Sequence, residues 1–185
     1  MRAVIVFDSM FGNTAEIAEA VAEGLVPHGQ VDLYAVDNAP SHVDAEVDLL
    51  VVGGPTHGHG LSNRTSRHAS AKQLAQGATD GRTGLREWLA ALEPASRPVS
   101  VAATFDTRFH KPAWLTGSAA RGAAKRLRQN GYTLVAPPES FFVDAGSGPL
   151  EDGETDRARR WGDVLGAIVT TDRSSTSGSP TRVAR

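Results

Sequence analysis

The residues best placed to do chemistry are the two hydroxyls, the amide and the glycine of Ser9-Met10-Phe11-Gly12-Asn13-Thr14. They stand between an apolar run, Ala3-Val4-Ile5-Val6-Phe7, and a helix-like segment, Thr14-Ala15-Glu16-Ile17-Ala18-Glu19-Ala20-Val21. A buried strand therefore hands over to a helix through a turn rich in hydrogen-bonding groups. The first turn of a helix has unpaired N–H groups and carries partial positive charge. A phosphate placed there meets donors with no competing use. Ser9 and Thr14 add hydroxyls, Asn13 adds an amide, and Gly12 lets the backbone come close.

What the turn lacks narrows the ligand. It holds no Lys or Arg, so the lysine of a GxxxxGK[ST] triphosphate loop is missing. The dinucleotide pattern GxGxxG is missing as well. Asp8-Ser9-Met10 has no second acid of the kind an acyl-phosphate site would use. An uncharged cradle at a helix start suits one phosphate monoester on a ligand held by its other end.

Val6-Phe7-Asp8-Ser9-Met10-Phe11-Gly12-Asn13-Thr14, with Ala18 four residues on, resembles the phosphate-loop signature of the flavodoxins. The shared pattern is a hydroxyl, two variable residues, a small residue, any residue, Thr, then Ala. The resemblance implies that Ser9, Met10, Phe11, Gly12, Asn13 and Thr14 hold the terminal phosphate of FMN.

The rest of the chain must position that turn. Ile17, Val21 and Leu25 give the first helix an apolar stripe, and Pro27 and Gly29 end it. Val31–Val36 alternates as a partly exposed strand. Asp44-Ala45 is expected to be a scrap of helix. Asp48-Leu49-Leu50-Val51-Val52-Gly53-Gly54 is continuously apolar after its first residue, as in a parallel strand covered on both faces. A helix is expected from Arg64 to Ala75 within a polar insert over 61–83, and an amphipathic one over Leu85–Leu92. Pro98–Phe105 is the fourth strand, and Ser118–Asn130 is a helix stopped by Gly131. Its Arg121, Lys125, Arg126 and Arg128 belong mostly to a solvated face. Tyr132–Val135 is the fifth strand, interrupted at Pro137-Pro138 because proline cannot donate to a central ladder, and resumed near Ser140. Glu154–Thr170 is the last helix.

This alternation predicts an α/β fold, a three-layer doubly wound sheet of five parallel strands in the order 2-1-3-4-5. The resemblance, a flavodoxin-like arrangement, extends over residues 1–170 as one domain. The Ser/Thr/Arg-rich residues 171–185 carry no apolar pattern and are expected to form a disordered tail.

In such sheets ligands lie beyond the carboxyl ends of the strands, where the strand order reverses. Three segments meet there: residues 8–14, 54–61, which holds most of the run Gly-Gly-Pro-Thr-His-Gly-His-Gly, and 104–112, which reads Thr-Phe-Asp-Thr-Arg-Phe-His-Lys-Pro. By the resemblance, Pro55, Thr56, His57 and Gly58 line one side of the flavin ring, and Thr104, Phe105, Asp106, Thr107 and Arg108 line the other. Related electron carriers stack a Trp or Tyr on the ring. Here the candidates are His57, Phe105 and Phe109, with Trp114 just beyond. A cation such as Arg108 or His57 beside the ring would favour its reduced, anionic form.

Other chemistries find less support. His57 and His59 lack a matching carboxylate pair, no HExxH occurs, and no metal is expected. No Gly-x-Ser-x-Gly elbow stands where a hydrolase would need it. The chain has no cysteine, which excludes disulfides, thiolate catalysis and Cys-ligated clusters. Its 185 residues are 40% apolar, enough for one core, and the formal net charge is −2. That charge gives no global sign of nucleic acid or membrane and differs from the strongly acidic carriers of the resembled family. No run approaches the ~20 apolar residues of a membrane span, so a cytoplasmic protein is expected. The expected function is electron transfer through non-covalent FMN, with a redox partner protein and no catalytic side chain. The alternatives are an FMN-dependent NAD(P)H:quinone-type oxidoreductase with small quinone and nicotinamide substrates, or a binding module of the same fold without cofactor.

Overall fold

The computed structural model describes residues 1–57, 60–61, 83–95, 100–111, 117–144 and 148–176. Strand β1 (Arg2–Phe7) is the first apolar run, and Ala3 to Val6 are buried. Helix α1 (Asn13–Leu25) follows, and its stripe Ile17, Val21 and Leu25 is fully covered. A 3-10 turn, Val26–His28, leads to β2 (Gln30–Ala35). Then come β3 (Leu49–His57), β4 (Gly60–Leu61), α2 (Leu85–Ala91), β5 (Ser100–Phe109) and α3 (Ala119–Gln129). Strands β6 (Tyr132–Leu134) and β7 (Glu139–Val143) precede α4 (Glu154–Thr176).

The main path of the sheet is β2-β1-β3-β5-β6, all parallel, with β7 also paired to β5. This is the expected order 2-1-3-4-5, with the fifth position divided. Strand β6 covers Ser100–Ala102 and β7 covers Phe105–Phe109 of the same neighbour. Pro137 and Pro138 fall in the gap, where no ladder donor is required.

Successive strand residues point to opposite faces, so each strand feeds two cores. On one face Ala3, Ile5, Leu49, Val51, Ala103 and Phe105 pack with Ile17, Val21 and Leu165 of α1 and α4. On the other, Val4, Val6, Leu50, Val52 and Ala102 pack with Leu85, Trp88, Ala123 and Leu127 of α2 and α3. Burying each large aliphatic side chain contributes about 1.5–3 kcal/mol. Helices α1 and α4 approach closely through Gly24 and Gly162. A Cβ at Gly162 would lie 2.3 Å from the Val21 carbonyl oxygen.

Four local expectations change. Strands β3 and β5 continue past Gly54 and Phe105, because Gly54 pairs with Asp106, Pro55 with Thr107, and β7 pairs the outer side of β5. Segments read as loops are thus sheet. The Asp44-Ala45 helix is instead a turn closed by the Val47 N–H donating to the Asp44 carbonyl. Helix α4 runs beyond Thr170 to Thr176. The helix expected at Arg64–Ala75 and the end of the expected tail lie outside the described residues. No described helix is long and apolar enough to cross a membrane.

Candidate functional site

The turn after β1 begins with the Asp8 N–H bonded to the Gly53 carbonyl at 3.0 Å, which holds it against β3. Ser9 Oγ accepts from the Ala15 N–H at 3.2 Å, so the turn folds back over the start of α1. Gly12 is the helix N-cap with φ 96°, a left-handed conformation that glycine adopts without strain. A Cβ built there meets nothing within 4 Å, so the cradle opens at this point. The N–H groups at the start of α1 have no acceptor inside the helix. Asn13 Nδ2 donates to the Gly148 carbonyl at 2.7 Å and ties the turn to the connection between β7 and α4.

Thr14 is buried, and its hydroxyl lies 2.7 Å from that of Thr107 on β5. Two hydroxyls carry two protons, and their mutual bond uses one. The other remains to be donated to a ligand. The structure thus brings the first and third of the segments expected at the site into direct contact.

The second and third segments meet at the buried carboxylate of Asp106, which is 0% exposed. Its Oδ2 accepts from Thr56 Oγ1 at 3.0 Å, Ser118 Oγ at 2.6 Å and the Ala120 N–H at 3.0 Å. Thr56 Oγ1 in turn accepts from the Ala119 N–H at 2.8 Å. Ser118 caps α3 by accepting from the Arg121 N–H at 3.2 Å. Asp106 and Thr56 therefore neutralise the positive end of α3, and their side chains serve the architecture. Among the described residues Asp106 Oδ1 has no hydrogen-bond partner, and it lies 3.8 Å from Arg108 Nε.

Arg108 turns toward β7. Its Nε donates to Ser140 Oγ at 3.1 Å, its guanidinium lies 5.3 Å from the Phe142 ring centre, and another N–H reaches the Lys111 carbonyl. Phe105 is core. Its ring packs edge-on against Phe141 and Trp161, at 6.0 and 6.2 Å, and covers Gly53. It is spent on packing and is not free to stack on a ligand. Thr104 is buried, and its hydroxyl oxygen has no partner among the described residues. Pro55 is half-buried beside Thr107, while the His57 side chain, Gly58 and Trp114 lie outside the description. Phe109 is 40% exposed, and His110 stacks on Phe142 at 4.1 Å.

The sequence reading passed over two contributors. Asp8 Oδ2 accepts from the Leu85 N–H at 3.3 Å and fixes the start of α2. Ser118 stands directly before an alanine-rich helix, a capping signal legible in the sequence.

The residues present fit an FMN phosphate. The glycine position is open, the turn Ser9–Thr14 carries no charge, and a hydroxyl pair retains a proton to donate. The sequence model of the family described as Flavodoxin matches residues 5–97, half of the chain. No match was found among curated proteins. The fold is similar to a flavodoxin from the domain Archaea, with 18% identity, 92% of this chain and 99% of that one covered, and a TM-score of 0.62. It is similar to a flavodoxin, WrbA-like protein of Agrobacterium tumefaciens, with 20% identity, 92% and 98% covered, and a TM-score of 0.55. Oxidised Flavodoxin 2 from Bacillus cereus matches at 15% identity, with 93% and 99% covered and a TM-score of 0.57. On the strength of the family match and the strand, cradle and helix that carry it, the chain belongs to the flavodoxin family, with FMN as its cofactor.

Proposed function

We propose that the protein is an electron carrier working through non-covalently bound FMN. FMN supplies the redox chemistry, and the protein supplies binding, orientation and electrostatics. Ser9, Met10, Phe11, Gly12, Asn13 and Thr14 would hold the phosphate. Main-chain groups of Pro55, Thr56, His57 and Gly58 would border one side of the ring, and those of Thr104, Phe105, Asp106, Thr107 and Arg108 the other. The binding unit spans residues 1–170, and it works in the cytoplasm with a redox partner protein.

The observation that carries the reading is the charge-free turn Ser9–Thr14 at the start of α1 beside the Thr14–Thr107 hydroxyl pair. A phosphate there is balanced by the helix end and by neutral donors, as a tightly kept group requires. A carrier needs no proton-moving side chain. Asp8 is bonded to α2, Asp106 to α3, and Arg108 to β7. These three charges hold elements together.

Absorbance of the purified protein and calorimetric titration with FMN test cofactor binding. Rapid mixing of the reduced protein with a one-electron acceptor protein, beside an assay with NADPH and a quinone, tests the activity. Bound FMN, fast exchange with the acceptor and no NADPH oxidation are expected. Sustained NADPH–quinone turnover would replace the carrier with an oxidoreductase, and protein that ignores FMN would end both readings.

A further inference from the structure

The charges of this chain are segregated. Residues 3–63 contain nine Asp and Glu and no Lys or Arg. The formal net charge of the whole is only −2, so the remainder is basic. Two of the helices keep that contrast. Helix α1 carries Glu16, Glu19 and Glu23 and no base, whereas α3 carries Arg121, Lys125, Arg126 and Arg128 and no acid. The two helices cover opposite faces of the sheet.

On α3, Arg121, Lys125 and Arg128 are exposed at i, i+4 and i+7, one continuous stripe, and Arg126 is half-buried beside it. None of the four has an ion-pair partner among the described residues. Elsewhere Arg2 pairs with Asp32, Arg157 with Glu154, and Arg159 with Glu23. Like charges one turn apart on a helix repel, and no described acid pairs with them. The stripe also has a position. The α3 backbone is bonded to Thr56 and Asp106 at its amino end, so the stripe begins at the rim of the site. It runs about 10 Å from Arg121 to Arg128 at 1.5 Å per residue.

We infer that the exposed face of α3 docks an acidic redox partner protein, seated so that it overlaps the rim of the site. The inference rests on the electron-carrier reading. The basic stripe attracts the partner and the acidic α1 on the far face repels it, so the two together orient the encounter. A polyphosphate chain would meet the same stripe, but also the net negative charge of the whole protein. A compact acidic surface meets that charge too, but docked on α3 it holds its own charge on the side away from acidic α1.

The test uses the FMN-loaded full chain with two probe proteins, an acidic [2Fe–2S] ferredoxin and basic cytochrome c. The variants are Arg121→Gln/Lys125→Gln/Arg128→Gln and, as a control, Arg160→Gln on exposed α4. Circular dichroism melts verify that each is folded. Association with ferredoxin should slow about tenfold in the triple variant, and equally in the unaltered protein as ionic strength rises from about 10 to about 200 mM. Arg160→Gln should change it less than about twofold, and the triple variant should not weaken association with cytochrome c. A triple variant that binds ferredoxin like the unaltered protein overturns the inference. So does a preference for cytochrome c, absence of any ferredoxin binding, or displacement of ferredoxin by a single-stranded oligonucleotide at equal concentration. FMN titration of the same samples reports on the carrier reading separately, because no cradle residue is altered.

Discussion

The Thr14 hydroxyl lies 2.7 Å from the Thr107 hydroxyl, joining the first turn of α1 to the upper end of β5. Residues far apart in sequence thus form one buried donor pair beside the start of α1. Thr107→Val removes the partner and leaves a buried hydroxyl unsatisfied. Stability should fall by about 1–3 kcal/mol in a urea titration, and FMN should bind about tenfold more weakly by fluorescence quenching. Thr107→Ser keeps the hydroxyl and should restore most of both. Unchanged FMN affinity in the valine variant would show that the pair serves only the fold.

Gly53 and Phe105 are a matched pair. A Cβ at Gly53 would fall 2.0 Å from the Phe105 ring, so Gly53→Ala must displace a fully buried aromatic. Phe105→Ala alone should cost about 3–5 kcal/mol. With the ring removed, adding Gly53→Ala should cost much less than it does in the intact protein. Denaturant midpoints of the two single variants and the double variant give the coupling directly. Strict additivity would count against this packing.

Asp106 and Arg108 balance each other at 3.8 Å, with the carboxylate wholly buried. Asp106→Ala strands the donors of Thr56, Ser118 and Ala120 and should cost about 3 kcal/mol or more. Arg108→Gln leaves the acid less compensated and should also destabilise. The pair Asp106→Asn/Arg108→Gln should recover part of the loss, and urea unfolding of the set measures it. Because Arg108 is already engaged with β7 and Asp106, its removal should disturb stability more than the flavin potentials, which redox titration of Arg108→Ala would read.

Burial pushes the Tyr132 phenol above its ordinary value of 10.0. The native state then keeps its proton to a higher pH than the unfolded chain does. The contribution is complete below pH 10 and is lost as pH climbs from there to the native value. Tyr132→Phe should flatten this alkaline decline in denaturant midpoints taken between about pH 8 and about pH 11. An alkaline limb unaltered by the substitution would assign it to other groups.

The sequence by itself determined the pieces whose information is local. A continuous apolar run with a neutral, glycine-bearing turn makes β1, the cradle and the start of α1 legible, because burial and helix-end chemistry act over a few residues. The alternation of strands and helices likewise narrowed the sheet order to a few topologies, since crossovers are right-handed, and the order of the sheet is one of them. Tertiary structure decided what becomes of each side chain at the upper edge. Strand β5 reaches Phe109 only because β3 and β7 supply ladder partners on both sides, and no local pattern in Asp106-Thr107-Arg108 encodes those partners. For the same reason Phe105 passed from ligand candidate to core, Asp106 became the anion at the start of α3, and Thr14 found Thr107. A residue's type states which bonds it is able to make, while the packing of distant segments selects the bond that forms.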